Sequence, residues 1–380
     1  MKSKRVLLLI PHLGIGGTEV QTLNLAKALV LSGHKVTTLC LYRCIPKMVE
    51  EFKNAGSKVI CISPMYNHYD VPINYHKRLR LIIFLYKILR DVLHKEQYDV
   101  IHVQYMTPMA TAILVLKYML HYRNIIVTSH TNADIYKSLS LLHFIEKHIT
   151  KAFTCITQKA EEGFFGSSTV YEENLILGKH NHFTIYNALP YGMDFAHNNR
   201  YNHPEVIGVV SRLEPIKGMD LVIPAFAEVK KKYPEVQLIV VGDGTQKKLM
   251  EQQAKQFGVT DAITWAGRQP QEELHKWYGQ MDIVLMPSRS EGFGLTAIEA
   301  MANGCVVVAS NTGGLPEVVK DGEVGLLHQV ENASDLAAKI NRLLEDNPLY
   351  MKCQQALHDY VQQYSFNRYA DIICSLYSKL

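Results

Sequence analysis

The chain has 380 residues, of which 47% are hydrophobic and 20% charged, a balance typical of globular proteins and a length that favours two domains. It contains no low-complexity run and no internal repeat of 20–50 residues. No segment reaches the ~18 apolar residues of a membrane span, and the apolar run Val6–Ile10 is too short for a secretory signal.

The small net charge of +4 conceals an uneven distribution. Residues 1–200 hold 23 Lys and Arg against 14 Asp and Glu, whereas residues 201–380 hold 17 against 22. Thirteen of the 17 histidines also lie in the first half. A positive half of this kind suits a partner that is acidic.

The seven cysteines are scattered along the chain, at positions Cys40, Cys44, Cys61, Cys155, Cys305, Cys353 and Cys374. None forms a Cys-x-x-Cys pair, so a zinc site is not indicated. The spacing favours reduced thiols in a cytosolic protein.

Short apolar runs alternate with helix-like stretches along the whole chain. In the first half they are Val6–Ile10, Val36–Leu41, Val59–Ile62, Val100–Val103, Ile125–Ser129 and Cys155–Thr157. In the second half they are Ile207–Val210, Leu238–Val241, Ile263–Trp265, Ile283–Met286, Val306–Ala309 and Gly325–Leu327. Most of these runs are continuous, as in parallel strands covered on both faces. Two such sets predict an α/β protein with two doubly wound, Rossmann-like domains.

The stretches between the strands follow the period of a helix. Leu336, Ile340 and Leu343 repeat at helical spacing, with Ser334 as the expected N-cap. Residues 196–205 are polar and contain a proline, so we place the linker between the domains there. Because ligands of such folds bind at the carboxyl ends of the strands, two facing domains are expected to hold a ligand in the cleft between them.

The first motif, Gly14–Glu19, follows the first predicted strand. A dinucleotide fingerprint needs a third glycine where Glu19 stands, so a nicotinamide enzyme is disfavoured. Gly16 and Gly17 still allow a phosphate or a sugar to approach the backbone closely. A tight turn without a ligand explains the motif equally well.

The second motif, Ser211–Gly218, follows the first strand of the second half. Arg212 and Lys217 flank a proline turn, and both can converge on a diphosphate, Arg with a planar fork and Lys as a point charge. The alternative is that both are solvated surface charges.

The third motif joins Glu291 to Glu299 through a Gly-Phe-Gly turn, between a predicted strand and a predicted helix. Such a turn directs backbone N–H groups and the positive end of a helix at an anion. The two carboxylates suit vicinal hydroxyls, because each oxygen accepts from one O–H. Together they favour a ligand with both phosphate and hydroxyl groups, such as a nucleotide-sugar.

The fourth candidate is His130, at the end of the strand Ile125–Ser129, where hydroxyl and amide residues follow it. A structural or surface histidine is the alternative, since the chain has 17. The sequence contains no Asp-x-Asp, so a carboxylate-bound divalent metal is not supported.

In chain order, these motifs resemble the retaining glycosyltransferases of the GT-B fold, from the fourth family of these enzymes. In the second half the resemblance rests on Ser211-Arg212, Lys217-Gly218, Val241–Gly244, Trp265–Gly267, Asp282, Pro287-Ser288, Glu291–Gly294, Glu299–Ala302, Gly304, Gly313-Gly314 and Pro316-Glu317. In the first half it rests on Gly16–Glu19, Gly33–Val36, Asp99–His102 and His130. It implies an N-terminal domain of residues 1–200 joined by a last helix, 366–380, and a donor-binding domain of residues 201–365.

The resemblance also implies a role for each matching residue. Arg212 and Lys217 would hold the donor diphosphate and stabilise it as it leaves, Glu291 would bind hydroxyls of the transferred sugar, and Glu299 would bind the ribose. His130 would line the reaction centre and contact the donor sugar. The remaining donor contacts would come from the backbones of Gly16, Gly17, Gly292, Phe293, Gly294 and Leu295.

The implied reaction is transfer of a sugar from a UDP- or GDP-linked donor to a glycan or lipid-linked acceptor, in surface polysaccharide biosynthesis. It needs no cofactor, no metal and no nucleic acid, and front-side attack is favoured over Glu291 as a nucleophile. Two alternatives remain: a nucleotide-sugar 2-epimerase of the same fold, and a non-catalytic nucleotide-sugar-binding protein.

Residues 76–95 form a basic amphipathic helix candidate in the positive half. Such a helix can lie on an anionic membrane surface and bring a site to a lipid-linked acceptor. An ordinary helix packed on the sheet is the favoured alternative. The expected location is accordingly cytoplasmic, either free or peripheral at the inner face of the membrane.

Overall fold

The structure, a computed structural model, describes residues 2–62, 75–105, 109–178, 181–193 and 204–380, without the side chains of residues 75–78 and 105. The chain divides into two compact units. Unit 1 comprises Met1–Tyr191 and Ser365–Leu380, and unit 2 comprises Gly192–Tyr364. Most of the predicted linker, residues 196–203, and the predicted boundary at residue 200 lie outside the described residues.

Unit 1 is built on a parallel sheet in which seven strands are described, in the order β3-β2-β1-β4-β5-β6-β7. The strands are β1 (Arg5–Ile10), β2 (Lys35–Cys40), β3 (Lys58–Cys61), β4 (Val100–Tyr105), β5 (Ile125–Ser129), β6 (Ala152–Cys155) and β7 (His182–Thr184). The chain reverses direction across the sheet at β1, which pairs with both β2 and β4. A reversal of this kind places the carboxyl ends of β1 and β4 at a topological switch point, where ligands of such sheets bind.

Helices connect these strands and cover both faces of the sheet. They are α1 (Gly17–Leu31), α2 (Pro46–Asn54), α3 (Tyr75–Lys95), α4 (Met109–Leu114), α5 (Ser140–His148) and α6 (Gln158–Phe165). A π-helical turn, Val115–Met119, extends α4, and a 3-10 turn, Ala133–Ile135, follows β5.

Unit 2 is built on a second parallel sheet, in the order β10-β9-β8-β11-β12-β13. Its strands are β8 (Val206–Val210), β9 (Gln237–Val241), β10 (Ile263–Gly267), β11 (Ile283–Met286), β12 (Val306–Ser310) and β13 (Gly325–His328). Its helices are α7 (Val222–Lys232), α8 (Lys247–Phe257), α9 (Leu274–Tyr278), α10 (Leu295–Ala302), α11 (Leu315–Val318), α12 (Ala333–Glu345) and α13 (Asn347–Val361). Short 3-10 turns lie at Pro215–Lys217, Met219–Leu221, Thr260–Ala262, Gln271–Glu273 and Gln362–Tyr364.

The last helix, α14 (Phe366–Ser378), lies in unit 1. The alternation of side chains along β1 divides the core of this unit between the two faces of its sheet. Leu7 and Leu9 pack in the cluster that includes α3 and α4, whereas Leu8 packs in the cluster that includes α1 and α14. Each fully buried leucine contributes about 1.5–3 kcal/mol relative to an exposed one. Helix α14 therefore completes one face of the sheet.

The two chain segments of unit 1 meet where unit 2 begins and ends. The side-chain amide of Gln21 donates to the Ala188 carbonyl at 2.6 Å and accepts from the Ala188 N–H at 2.9 Å. Asn24 accepts a bond from the Tyr191 N–H at 3.1 Å. The Tyr191 ring contacts the ring of Phe366 edge-on, with centroids 4.8 Å apart. Helix α1 thus anchors the chain where it leaves unit 1, beside the point where it returns.

The predicted fold class, an α/β protein of two Rossmann-like domains, is confirmed, but three local predictions are wrong. The strand predicted at Cys155–Thr157 is β6, Ala152–Cys155, because the Thr157 side chain instead caps α6 by accepting from the Ala160 N–H. The N-cap of α12 is Asn332, whose side chain accepts from the Asp335 N–H, and Ser334 lies inside the helix.

The third wrong prediction concerns the cysteines, since Cys44 and Cys61 form a disulfide. Strands β2 and β3 pair in parallel, so Cys44, shortly after β2, lies beside Cys61 at the end of β3, with 6.5 Å between their Cα atoms. The other five cysteines are not part of this disulfide, and all but Cys374 are buried. In the described part of the chain, no helix is long and apolar enough to cross a membrane.

Candidate functional site

In unit 2, the loops that follow β8, β11 and β12 approach each other through glycines. Gly218 has φ +65°, and a Cβ there would lie 1.9 Å from the carbonyl oxygen of Pro287. Gly313 has φ +55°, and a Cβ there would lie 1.8 Å from the carbonyl oxygen of Glu291. Both positions therefore require glycine, for the left-handed backbone and for the close approach. These contacts hold the three loops side by side at the carboxyl edge of the sheet.

This arrangement brings Lys217 and Glu291 together. The Lys217 ammonium donates to Glu291 Oε2 at 2.6 Å, and the two side chains are 19% and 16% exposed. The Ser288 hydroxyl donates to the same oxygen at 3.4 Å. A pair this well shielded feels a lower dielectric than a surface pair, so its charges interact strongly with each other and with a ligand. Arg212, on the loop after β8, is exposed.

Arg289, which the sequence analysis did not single out, fastens two of these loops. Its guanidinium donates to both carboxylate oxygens of Asp220, each at 2.8 Å, and its Nε donates to Glu331 at 2.8 Å. Its backbone N–H donates to the Ile216 carbonyl, next to Lys217, at 2.9 Å. A bidentate Arg–carboxylate pair is among the more rigid side-chain contacts. Arg289 thus holds the loop of Lys217 against the loop of Glu291.

Glu299 lies on α10 and is 6% exposed. Gln271 donates to one of its oxygens and the Tyr278 hydroxyl to the other, both at 3.1 Å. Burial raises the pKa of Glu299 to about 7, although both hydrogen bonds act to lower it. The carboxylate is therefore held in place by two donors but is poised to carry a proton near neutrality.

The turn that leads into α10 contains the remaining predicted residues of this unit. Phe293 is buried, and its ring packs edge-on against Tyr364 with centroids 5.7 Å apart. Gly294 has φ +106°, and Leu295 begins the helix. Gly292 and Leu295 are partly exposed. With the Phe293 ring in the core, its side chain serves packing, and the turn presents backbone.

In unit 1, Gly16 precedes α1 in an extended conformation, and Gly17 is the first residue of the helix. The Gly14 N–H donates to the Glu19 carboxylate at 3.3 Å. A Cβ on Gly16 would lie 2.8 Å from the other Glu19 oxygen. A side chain at position 16 would therefore displace the carboxylate of Glu19, which folds back over the loop.

His130 follows β5 and is partly buried. Its Nε2 lies 2.7 Å from Oε1 of Gln104, a buried residue on β4 that the sequence analysis also missed. Burial lowers the pKa of His130 to about 4, so the ring is neutral at pH 7. His102 is fully buried between the hydroxyls of Tyr377 and Thr128, and burial lowers its pKa to about 3.

Helix α3 covers the region of the membrane hypothesis, residues 76–95. Leu85, Leu89 and Val92 are buried in the core of unit 1, as the alternative of an ordinary packed helix requires. Leu79 and Ile83 are 49% and 45% exposed, among exposed basic residues of the same helix. The role of this helix at a membrane stays a prediction.

The structure thus joins Lys217 to Glu291 directly and places Glu299 on the helix that follows their loop, while His130, Gly16 and Gly17 lie in unit 1. Partners that the sequence analysis did not assign to the site are Ser288, Arg289, Gln271, Tyr278 and Gln104. The positions of most of these residues in the sequence do not indicate that they contact the site, although Ser288 stands in the quoted motif Pro287-Ser288.

Two parallel doubly wound units define the GT-B class of fold, and solved structures share it. The Anabaena protein HepE in complex with UDP and glucose superposes with a TM-score of 0.77 over 99% of this chain and 100% of that chain, at 19% identity. The lipopolysaccharide outer core galactosyltransferase WaaB superposes with a TM-score of 0.74, over 99% of this chain and 100% of that chain, at 16% identity. At these identities the likeness shows the fold alone.

Sequence comparison gives the family. Residues 193–358 match the model "Glycosyl transferases group 1", and residues 15–163 match the model "Glycosyltransferase Family 4". The chain belongs to glycosyltransferase family 4. A D-inositol 3-phosphate glycosyltransferase of Corynebacterium aurimucosum is 36% identical over 182 residues, which are 46% of this chain and 43% of that protein. The match therefore spans less than half the length of that relative.

Proposed function

We propose that this protein transfers a sugar from a nucleotide-sugar to a glycan or lipid-linked acceptor, with retention of anomeric configuration, in surface polysaccharide biosynthesis. The observation that carries the proposal is the shielded pair of Lys217 and Glu291, at 2.6 Å, on loops locked together by glycines. A cation and a carboxylate at one point suit a ligand in which a diphosphate adjoins a sugar.

The proposed roles follow from the charges. Lys217, joined by exposed Arg212, neutralises the negative charge that develops on the diphosphate as it leaves, which is the largest single effect available to such a site. Glu291 accepts hydrogen bonds from hydroxyls of the donor sugar, beside the ammonium of Lys217. Glu299 accepts the ribose hydroxyls, held by Gln271 and Tyr278.

In the proposed course of the reaction, the acceptor hydroxyl approaches the anomeric carbon of the donor sugar from the same face as the leaving diphosphate. The departing phosphate oxygen takes the proton of that hydroxyl. The new bond then forms on that same face, so the configuration is retained without a covalent intermediate on the protein. The cations, together with the backbone N–H groups at the start of α10, carry the leaving-group charge, and we propose that no divalent metal is needed.

A UDP-linked donor is the first choice, because the structurally similar HepE was solved with UDP and glucose. The names of similar proteins, a D-inositol 3-phosphate glycosyltransferase and a lipopolysaccharide outer core galactosyltransferase, support a hydroxylated sugar, cyclitol or lipid-linked glycan as acceptor. The donor sugar and the acceptor are both open to a direct screen.

The test is incubation of the protein with UDP-glucose or GDP-mannose and a panel of lipid-linked and free glycan acceptors, with nucleoside diphosphate release as the readout. Release together with a new glycoside of unchanged anomeric configuration, read by proton NMR, supports the proposal. A new isomer of the nucleotide-sugar identifies an epimerase instead. Binding without either product identifies a nucleotide-sugar-binding protein.

Lys217→Ala and Glu291→Gln are each expected to lower kcat by at least ~10²-fold, through lost leaving-group stabilisation or lost sugar binding. The matched control is the pair of Lys232 and Glu345 in the same unit, whose side chains are 55% and 47% exposed. Lys232→Ala is expected to retain the wild-type rate. Unchanged rates in both site variants would contradict the assignment even if the protein transfers sugar.

A further inference from the structure

The disulfide between Cys44 and Cys61 closes a loop of the chain in unit 1. The two cysteines are 17 positions apart, and the segment between them contains α2 and β3. Among the described strands, β3 lies at the edge of the sheet and pairs with β2. The disulfide therefore cross-links the edge of the sheet to the segment that follows β2.

The closed loop is only shallowly packed. Two of the nine residues of α2 are buried, Met48 and Phe52. None of the four residues of β3 is buried, whereas five of the six residues of β2 are. Segments that bury little apolar surface open locally at a low cost in free energy. The covalent cross-link is therefore a large part of what holds α2 and β3 in place.

The disulfide is within reach of a dissolved thiol, because Cys61 is exposed and Cys44 is partly exposed. Cys40, which lies opposite Cys61 in the register of the two strands, is buried, and burial raises its pKa to about 11. A thiol with this pKa stays protonated at neutrality and does not attack a disulfide. Exchange at this disulfide therefore needs a thiol from solution, and exposed disulfides are the labile ones.

Cys44 also lies against the segment that leads into the glycine turn of residues 14–19. It forms a parallel β-bridge with Leu13. The Leu13 N–H donates to the Arg43 carbonyl at 2.8 Å, and the Ile45 N–H donates to the Leu13 carbonyl at 2.9 Å. Both neighbours of Cys44 are thus hydrogen-bonded to the residue before the turn, so a movement at Cys44 reaches the turn through the backbone.

We propose that Cys44 and Cys61 form a reversible redox switch, in which a small thiol such as glutathione opens the disulfide and thereby loosens α2, β3 and the turn of residues 14–19. The switch operates whether or not the protein transfers sugar. It joins the redox state of the surroundings to the local stability of one edge of unit 1.

The exchange proceeds in two balanced steps. The thiolate of one glutathione attacks the sulfur of Cys61, the more exposed of the two, so that a mixed disulfide forms and Cys44 leaves as a thiolate. A second glutathione thiolate attacks the glutathione sulfur of the mixed disulfide, which releases glutathione disulfide and the Cys61 thiolate. The protein gains two electrons and two protons, and two glutathione thiols are oxidised to one disulfide.

The first experiment counts thiols. Protein purified without reductant is denatured and alkylated, before and after incubation of the native protein with millimolar reduced glutathione. The number of alkylated cysteines is expected to rise from five to seven, with Cys44 and Cys61 as the two that change, and glutathione disulfide should reverse the rise. Seven alkylated cysteines from the start, or a disulfide that glutathione leaves intact, would overturn the proposal.

The second experiment compares the oxidised and reduced proteins by hydrogen–deuterium exchange. Amides of α2 and β3 are expected to exchange about 100-fold faster after reduction, because a cross-link over a loop of this length suppresses local opening by roughly that factor. Amides of residues 13–19 should also exchange faster, by a smaller factor, and amides of unit 2 should not change. Unchanged exchange in either region of the fully reduced protein would refute the switch.

Variants separate this disulfide from the other thiols. Cys44→Ser and Cys61→Ser should each exchange like the reduced wild type, with or without glutathione. The matched control is Cys374→Ser, at a partly exposed cysteine of the same unit that is not in the disulfide, and it should keep the wild-type response. A response to glutathione that persists in Cys61→Ser, or is lost in Cys374→Ser, would assign the effect to another thiol and contradict the proposal.

Discussion

The protonation of Glu299 gives a sharp prediction about ligand binding. Its pKa is raised to about 7 by burial, whereas hydroxyls that donate to a carboxylate favour the ionised form and lower the pKa. If Glu299 binds the ribose of a nucleotide-sugar, binding must therefore release a proton. Affinity should then rise with pH up to about 7 and level off above it.

The size of the effect follows from the pKa. At about pH 6, one unit below the pKa, roughly nine-tenths of the free protein carries the proton on Glu299, so affinity should be about tenfold weaker than at about pH 8, or ~1.4 kcal/mol. Folding stability runs the other way. Because the folded pKa is above the ordinary value of Glu, the stabilising contribution of Glu299 is present below about pH 4 and is lost as the pH rises to about 7.

Isothermal titration calorimetry with UDP-glucose measures the affinity at each pH and the number of protons released on binding. The diphosphate of this ligand does not itself titrate near neutrality, so the released protons come from the protein. Titrations in two buffers of different ionisation enthalpy count the released protons. Glu299→Gln is the control, because glutamine keeps an acceptor oxygen but cannot titrate, and its affinity should be flat over this range. Tight binding by the wild type without proton release, or the same pH dependence in Glu299→Gln, would refute the ribose assignment.

Three further predictions concern the units and their loops. A double-mutant cycle of Arg289→Met and Asp220→Asn, measured by urea unfolding, should give a coupling free energy of about 1–2 kcal/mol, and a value near zero would contradict the fastening role. Arg289→Met should also lower kcat/KM. Glu161→Ala should lower the free energy of unfolding by about 3–5 kcal/mol, because the buried Glu161 carboxylate is hydrogen-bonded to Thr169, His182 and Thr184. Glu162→Ala, at an exposed position, is the control, and equal losses in the two variants would contradict the reasoning. If α3 lies on a membrane, flotation with phosphatidylserine vesicles at low salt should depend on Leu79 and fail in Leu79→Glu, and absence of the wild type from the vesicle fraction would end that idea.

The fold could be predicted from the sequence because its signals are local. Continuous apolar runs of parallel strands, glycine turns and helical spacing all lie within windows of a few residues. Strand β7 was missed because it spans just His182–Thr184, too short and too polar for a pattern. Thr157 was placed in a strand because a β-branched residue beside a strand and a capping threonine look alike in one sequence.

The partners of the candidate site could not be predicted, because they depend on tertiary contacts between distant positions. Arg289 and Asp220 are 69 residues apart, and Gln104 and His130 are 26 apart. Nothing in the spacing of either pair marks it. The raised pKa of Glu299 likewise depends on burial. The sequence could therefore propose which residues act, but not what holds them.

The edge-on contact between Tyr191 and Phe366 has a bearing on how such proteins can be recombined. Residues 192–364 form one uninterrupted insert whose two ends meet the host unit at neighbouring points. Exchanging that single block for the equivalent block of a relative leaves every strand of the host sheet and its closing helix intact. A chimaera that carries the second unit of a relative accordingly needs two junctions, and the anchoring amides of α1 can stay as they are.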